Sequence, residues 1–193
     1  IPDLHKILAA GKHLLALIND ILDLSKIEAG KMTLFVEEIH IDDLVEDVTA
    51  TIDPLVAKNR NRFVVELEEG LGVLNADETK VRQTLFNLLS NASKFTTEGV
   101  ITLRCRRRES NGEDRFFFEV SDTGIGMTEE QLAKIFDAFE QAEVTTSCRF
   151  GGTGLGLALV RQVSTMLGGS IRVASVPGEG TTFTLEIARD LER

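Results

Sequence analysis

Glu78-Thr-Lys-Val81-Arg-Gln-Thr-Leu85-Phe-Asn87-Leu88-Leu89-Ser-Asn91-Ala92-Ser-Lys94 is the stretch on which the reading of the fold turns. Val81, Leu85, Leu88, Leu89 and Ala92 recur at helical spacing, which predicts a helix from about Glu78 to Lys94 with one buried face and Asp77 as its cap. A second line runs beside that face. Asn87, Asn91 and Lys94 stand at i, i+4 and i+7 and stack along the helix. Asparagine is a mediocre helix former and costs free energy in mid-helix unless its amide is used. Two amides aligned with a lysine make an oxygen-rich corner beside a cation. An amide carbonyl can bind magnesium, and a lysine can meet phosphate oxygens. The plainer alternative is a solvated helix face.

Outward from this helix, strands and helices alternate. Met32–Ile39 reads as a strand, and Asp42 or Asp43 can cap a helix that runs to about Lys58, bent or shifted at Pro54. Arg62–Glu68 alternates as a strand. Val100–Arg107 and Arg115–Ser121 form a hairpin around Asn111-Gly112. Thr128–Phe139 is a short helix capped by Thr128, and Gly154–Leu167 is another, ending at Gly168-Gly169. Ser170–Val176 and Thr181–Ala188 close a hairpin through Pro177-Gly178-Glu179-Gly180. The expected fold class is α+β. It is a two-layer α/β sandwich in which about three helices cover one face of a mixed sheet, preceded by a long bundle helix.

That long helix is read from Leu4 to Ile27. Leu4, Ile7, Leu8, Leu14, Leu15, Ile18, Ile21 and Leu22 share one stripe, and Lys12, His13, Asp20, Asp23 and Lys26 lie opposite. Gly30 is a plausible cap at its end. The alternatives are a core helix of the same domain and, favoured by its length and place before the first strand, a bundle helix whose stripe a second copy or an upstream helix must cover. The expected division is a helical segment at 1–30 and a compact domain at 31–193.

Composition narrows the function. The 193 residues carry 21 Lys plus Arg against 31 Asp plus Glu, a net charge of −10, so nucleic acid is not an expected partner. No apolar run approaches a membrane span. Cys105 and Cys148 share no metal-binding spacing, and with three scattered histidines they argue against a zinc site or a disulfide scaffold. A reduced, cytoplasmic compartment is the expectation. The first residue is Ile1, so the chain reads as a piece of a longer protein.

Two glycine segments add chemistry. Asp122-Thr-Gly124-Ile-Gly126 follows a strand, and a carboxylate at a strand end flanked by glycines can read a base. Adenine offers it an exocyclic amine where guanine presents an acceptor, so Asp122 would select ATP over GTP. A plain strand-to-helix turn is the alternative. Gly151-Gly152-Thr153-Gly154-Leu155-Gly156 opens a helix, whose first N–H groups suit an anion, and its glycines would let the preceding loop act as a lid. Neither a Walker loop nor a dinucleotide fingerprint is present.

In this order the segments resemble the ATP-binding domain of sensor histidine kinases, within the superfamily of gyrase, Hsp90 and MutL. Asn87-Leu-Leu-Ser-Asn91-Ala-Ser-Lys94-Phe95-Thr resembles the N box, and Asp122-Thr-Gly-Ile-Gly126 the first glycine box. Ile135-Phe136-Asp-Ala-Phe139 resembles the F box, Gly152-Thr-Gly154-Leu-Gly156 the second glycine box, and Gly178-Glu-Gly180-Thr181-Thr-Phe183 the last. The likeness runs from about Met32 to Ala188. Leu14 to Gly30 resembles the second helix of the family's dimerisation and phosphoacceptor hairpin.

The resemblance implies ATP and Mg2+ as cofactors and assigns roles. Asn91 with Asn87 would hold the magnesium. Lys94 and Arg149 would touch phosphates, Phe95 would line the adenine side, and Asp122 would bind the amine. Gly124, Gly126, Gly152, Thr153, Gly154, Leu155 and Gly156 would shape the pocket and lid, and Thr181 would support water beside the base. Asn87, Lys94 and Arg149 would be the groups serving transfer.

ATP-hydrolysing relatives place a glutamate where this chain has Asn87, and an amide takes no proton at neutral pH. Transfer to a histidine is therefore expected, rather than hydrolysis. The acceptor pattern His-Glu/Asp-x-x-x-Pro does not occur at His5, His13 or His40, so the acceptor is expected on a helix absent from this chain. Cys148 stands where relatives often carry a basic residue. Implied partners are that acceptor helix, a response regulator receiver domain, and a second copy paired through the N-terminal helix. A cytosolic part of a membrane-anchored sensor fits as well. The alternatives are a non-catalytic nucleotide-binding signalling and dimerisation module, and an ATPase clamp.

Overall fold

The computed structural model describes residues 2–110, 112–138 and 154–191. Helix α1 (Pro2–Glu28) is followed by β1 (Glu37–His40), α2 (Ile41–Lys58), β2 (Arg62–Leu67), β3 (Val73–Ala76) and α3 (Glu78–Phe95). Then come β4 (Val100–Ser110), β5 (Glu113–Asp122), the short α4 (Glu129–Lys134), α5 (Gly156–Met166), β6 (Ser170–Val176) and β7 (Gly180–Ala188).

Five strands form one sheet in the order β2-β4-β5-β7-β6. Only β2 and β4 run parallel, so the sheet is mixed. Alternation along the strands sends one set of side chains to each face. Ile101, Leu103, Phe116, Phe118, Val120, Leu185 and Ile187 point to the buried side. They meet Leu44, Val48 and Ile52 of α2, Leu85, Leu88 and Leu89 of α3, and Leu159 and Val163 of α5. Each such side chain stabilises the fold by about 1.5–3 kcal/mol relative to exposure. The other face is charged: Arg104 bridges Glu66 at 2.6 Å and Glu119 at 2.5 Å, and Arg172 meets Glu186 at 3.0 Å. Three helices thus cover one face, as the periodicities imply.

The C-terminal end of α3 is held by side chains from the α2–β2 turn. Asn59 donates to the Ser93 carbonyl at 2.8 Å, and Asn61 donates to the Thr96 carbonyl at 2.8 Å. The Ser93 hydroxyl donates to the Leu55 carbonyl at 2.8 Å. Helix ends leave their last carbonyls without intrahelical partners, and these amides supply some of them.

Several expectations are corrected. The strand expected at Met32–Ile39 is only Glu37–His40, because its partner β3 is four residues long and pairs no further. Asp42 and Asp43 lie in the first turn of α2 and do not cap it; His40 is the cap residue, without a side-chain bond. The two carboxylates there favour the positive end of the helix dipole. Pro54 lies inside α2, which runs to Lys58 as expected. The short helix after Thr128 closes at Lys134, with Thr128 and Gln131 forming a reciprocal capping box. The hairpin strands β4 and β5 are longer than the alternation suggests.

Helix α1 corrects the reading of its inward side. Ile7, Leu14, Ile18, Ile21 and Leu22 of the apolar stripe are exposed, while Leu17, Asp20, Asp23, Leu24 and Ile27 are half-buried. The side seated on the body therefore mixes three apolar residues with two aspartates expected on the polar side. The helix packs on α5, and Asp23 meets Lys80 of α3 at 2.9 Å. No described helix is long and apolar enough to cross a membrane.

Candidate functional site

Helix α3 begins where Asp77 accepts the Lys80 N–H at 3.0 Å, and it ends at Thr96, whose extended backbone turns the chain out. Between these points Asn87, Asn91 and Lys94 are half-buried along one edge, next to the fully buried Leu88 and Leu89. Asn87 faces the start of α5: a Cβ on Gly156 would lie 3.9 Å from its side-chain amide. Lys94 carries its ammonium 4.8 Å from the Phe95 ring centroid. Burial lowers its pKa, and among the described residues no carboxylate forms an ion pair with it. A half-buried cation in that position favours an anion.

Asp122 ends β5 directly beside the end of α3. Its Oδ1 accepts from the Gly124 N–H at 2.8 Å and from the Thr96 hydroxyl at 3.2 Å. The Ile125 N–H donates to the Phe95 carbonyl at 3.2 Å, which stitches the glycine segment to the helix. Thr96 stands five positions after Asn91, about 7.5 Å further along the helix direction, so the carboxylate sits near the end of the amide line. Burial pushes the Asp122 carboxyl above its usual range, against the Gly124 amide, the Thr96 hydroxyl and the Thr181 backbone, which all favour the ionised form. A carboxylate kept partly dehydrated in a cleft marks a functional candidate.

Thr181 lies opposite Asp122 in the β5–β7 ladder and is buried. Ser175 donates its hydroxyl proton to the Gly180 carbonyl at 2.8 Å and accepts the Met127 N–H at 2.8 Å. In its 2.9 Å contact with Ser175, the Thr181 hydroxyl is then the donor. Its own lone pairs stay available for water.

The glycines divide by role. A Cβ at Gly124 would fall 2.4 Å from the Phe95 carbonyl oxygen and 2.7 Å from the Thr96 hydroxyl. At Gly126, with φ +65, it would fall 2.0 Å from the Val176 carbonyl oxygen. Here glycine lets protein backbone approach, where the sequence suggested ligand approach. Gly156 has open room, and Leu155 is buried, so its side chain packs inside. Gly154 takes a left-handed φ of +69 at the entry to α5. Phe136 packs edge-on to Phe183 with centroids 6.4 Å apart. Arg149, Gly152, Thr153, Phe139 and Cys148 lie outside the described residues.

Ser175 and the Asn59–Asn61 pair carry no motif that singles them out in the sequence, and Thr96 closes the N-box segment without a role assigned to it there. The available signal for Thr96 is a polar β-branched residue immediately after the helix and before a turn. A broad depression at the far end of the sheet, lined by Glu68, Arg107, Arg108 and Asp114, is a different kind of place. Its arginines are already paired, Arg107 with Asp114 and Arg108 with Glu68, each at 2.5 Å.

Residues 76–191, more than half of the chain, match the family described as histidine kinase-, DNA gyrase B- and HSP90-like ATPase. The chain belongs to this family. The non-motile and phage-resistance protein of Caulobacter vibrioides is 44% identical over 188 residues, which cover 96% of this chain and 22% of that protein. The circadian input-output histidine kinase CikA of Synechococcus elongatus is 42% identical over 181 residues, 92% of this chain and 24% of CikA. The chain therefore spans about a quarter or less of these relatives' length. Among solved structures, full-length ShkA in complex with AMPPNP superposes with a TM-score of 0.81 at 32% identity, covering 95% of this chain and 38% of ShkA. The family's mixed-sheet fold is the one seen here, and the cleft between α3 and Asp122 lies within the matched residues.

Proposed function

We propose that the chain is the ATP-binding catalytic portion of a sensor histidine kinase, and that it passes the ATP γ-phosphoryl group to a histidine outside residues 1–193. The observation that carries this is the seating of Asp122 against the end of the helix that bears Asn87, Asn91 and Lys94. Base-reading and phosphate-gripping groups thereby share one cleft. The neighbours' names and the AMPPNP complex support the same reading.

The residues present fit Mg-ATP. The amide oxygens of Asn87 and Asn91 suit a hard cation that keeps most of its ligands from phosphate and water. Among the described residues no group of three or more His, Cys, Asp or Glu is placed to hold a metal, so the amides are the donors offered. Bound magnesium would supply charge neutralisation on the phosphates. Lys94 would hold a phosphate oxygen, with Arg149, Gly152 and Thr153 reaching from the lid. Phe95 would flank the base, Asp122 would accept its amine, and the Thr181 hydroxyl would order water beside it. Gly124, Gly126, Gly154, Leu155 and Gly156 would set the cleft walls. Asn87 bars proton abstraction from water, so the chain aligns and neutralises and leaves nucleophilic attack to an incoming imidazole.

The exposed stripe of α1 supports a bundle with an acceptor helix and a second copy, with 1–30 as the hairpin segment and 31–193 as the catalytic domain in this reading. The partner that receives the phosphoryl group next would be a response regulator receiver domain. ATP supply places this portion in the cytoplasm.

The test supplies the chain with γ-labelled Mg-ATP and a separate histidine-bearing two-helix hairpin. Acid-labile label on the hairpin and none on His5, His13 or His40 is expected. Steady phosphate release without transfer would favour the ATPase clamp. Tight ATP binding with neither outcome would favour a non-catalytic module.

A further inference from the structure

We propose that Thr96 is a positioning residue for base recognition, its hydroxyl fixing the plane in which the Asp122 carboxylate meets the purine amine. This rests on Asp122 as the base reader and adds the residue that sets its orientation.

Thr96 is fully buried at the point where α3 ends. It is held from two sides: its carbonyl receives the Asn61 amide at 2.8 Å, and its backbone leaves the helix in an extended conformation. The hydroxyl therefore has a fixed origin, and it is directed at Asp122 Oδ1, 3.2 Å away. The Gly124 N–H reaches the same oxygen at 2.8 Å. A terminal carboxylate rotates broadly about its last torsion when nothing holds it. These two donors on one oxygen, from different elements, act with the Thr181 backbone to remove that freedom and keep the carboxylate in one orientation.

Deleting the hydroxyl leaves the Gly124 amide and the Thr181 backbone on the carboxylate and loosens the orientation that the three set together. Recognition of a planar amine is directional, because a hydrogen bond weakens steeply as it bends. Loss of the hydroxyl should then cost discrimination between bases while leaving intact the grip that Asn91 and Lys94 would have on the phosphate tail.

The experiment compares Mg-ATP with Mg-purine riboside triphosphate, which lacks the exocyclic amine, by titration calorimetry on the whole chain. The wild type should prefer ATP by about 10- to 100-fold, the worth of one hydrogen bond to a charged group. Thr96→Val and Thr96→Ala should shrink that ratio to about threefold or less, with little change in affinity for the amine-free nucleotide. Thr96→Ser should restore it. Two deletions of different size cover the case in which one fails to fold, and urea midpoints identify it. Asp122→Asn separates the two claims. If it abolishes the preference while both Thr96 deletions keep it, the positioning role is wrong and the base reader stands. If Asp122→Asn keeps the preference, the base reader falls and this inference with it. Equal loss of affinity for both nucleotides in the Thr96 variants would make the residue merely structural and overturn the proposal.

Discussion

Gly124→Ala and Gly156→Ala, alanines placed in two segments of similar composition, should move stability in opposite directions. A Cβ at Gly124 would stand 2.4 Å from the Phe95 carbonyl oxygen, 2.7 Å from the Thr96 hydroxyl and 2.8 Å from Asp122 Oδ1. The nearest of these is backbone at the end of α3, which cannot swing away as a flexible side chain would. Overpacking of this kind costs about 1–3 kcal/mol. Separating the segments also breaks the Ile125–Phe95 bond, which adds about 0.5–1.5 kcal/mol. Gly124→Ala should therefore lose about 1.5–4.5 kcal/mol in all. At Gly156 the nearest atoms are the Asn87 amide at 3.9 Å, an ordinary contact, and the position opens α5. Alanine there restricts the unfolded chain and suits a helix, a gain of about 0.4–1 kcal/mol. Urea unfolding of the nucleotide-free chain at constant m-value reads both changes as midpoint shifts. A Gly124→Ala change within about 0.5 kcal/mol of wild type, or equal losses at the two positions, would refute the claim that Gly124 exists to admit the end of α3.

Further outcomes follow from other contacts. Asp122→Asn should stabilise the nucleotide-free chain at pH 7: with the folded pKa raised above the ordinary 3.8, the carboxylate's stability contribution is fullest below that value and is lost as pH rises through the folded pKa. Thermal melts of both chains should converge near pH 3 and separate toward neutrality, and the opposite order at pH 7 would contradict the burial argument. Asp23→Ala and Lys80→Ala, whose side chains are 21% and 14% exposed, should couple by about 1–2 kcal/mol in a double-mutant cycle read by hydrogen exchange in α1, more than a surface pair and less than a fully buried one. Cys105 is fully buried with its thiol pushed up to about 12, so iodoacetamide at pH 8 should alkylate it only after denaturant is added, as peptide mass spectrometry would show.

What is legible in the sequence is whatever periodicity and capping determine locally. Helix α3, with Asp77 at its head, and both long hairpins are read correctly because apolar spacing there is regular and each strand finds its sequence neighbour. The pattern misses β3 and draws β1 too long, because four residues carry little periodicity and their extent is set by the partner strand. On α1, Asp20 and Asp23 read as outward-facing, yet both are half-buried. Polarity cannot distinguish solvent from an ion pair such as the one Lys80 supplies to Asp23 from 57 residues further on. The candidate site is legible in its residue types: Asn87, Asn91 and Lys94 share α3, and Asp122 is seated against the end of that helix. The glycines are legible as needing space, while what fills that space at Gly124 and Gly126 is backbone from distant parts of the chain. Thr96 is legible as the end of the N-box segment but not in its role, which exists only once Asp122 is folded against it.

The central claim is that α3 and Asp122 form one nucleotide cleft. Chemical-shift mapping of the whole isotope-labelled chain with Mg-ATP tests it most directly. The largest changes should fall on the side-chain amides of Asn87 and Asn91 and on the backbone amides of Gly124, Ile125 and Thr181. Changes gathered instead around Arg107, Arg108 and Asp114 at the far end of the sheet, with those amides unmoved, would contradict it.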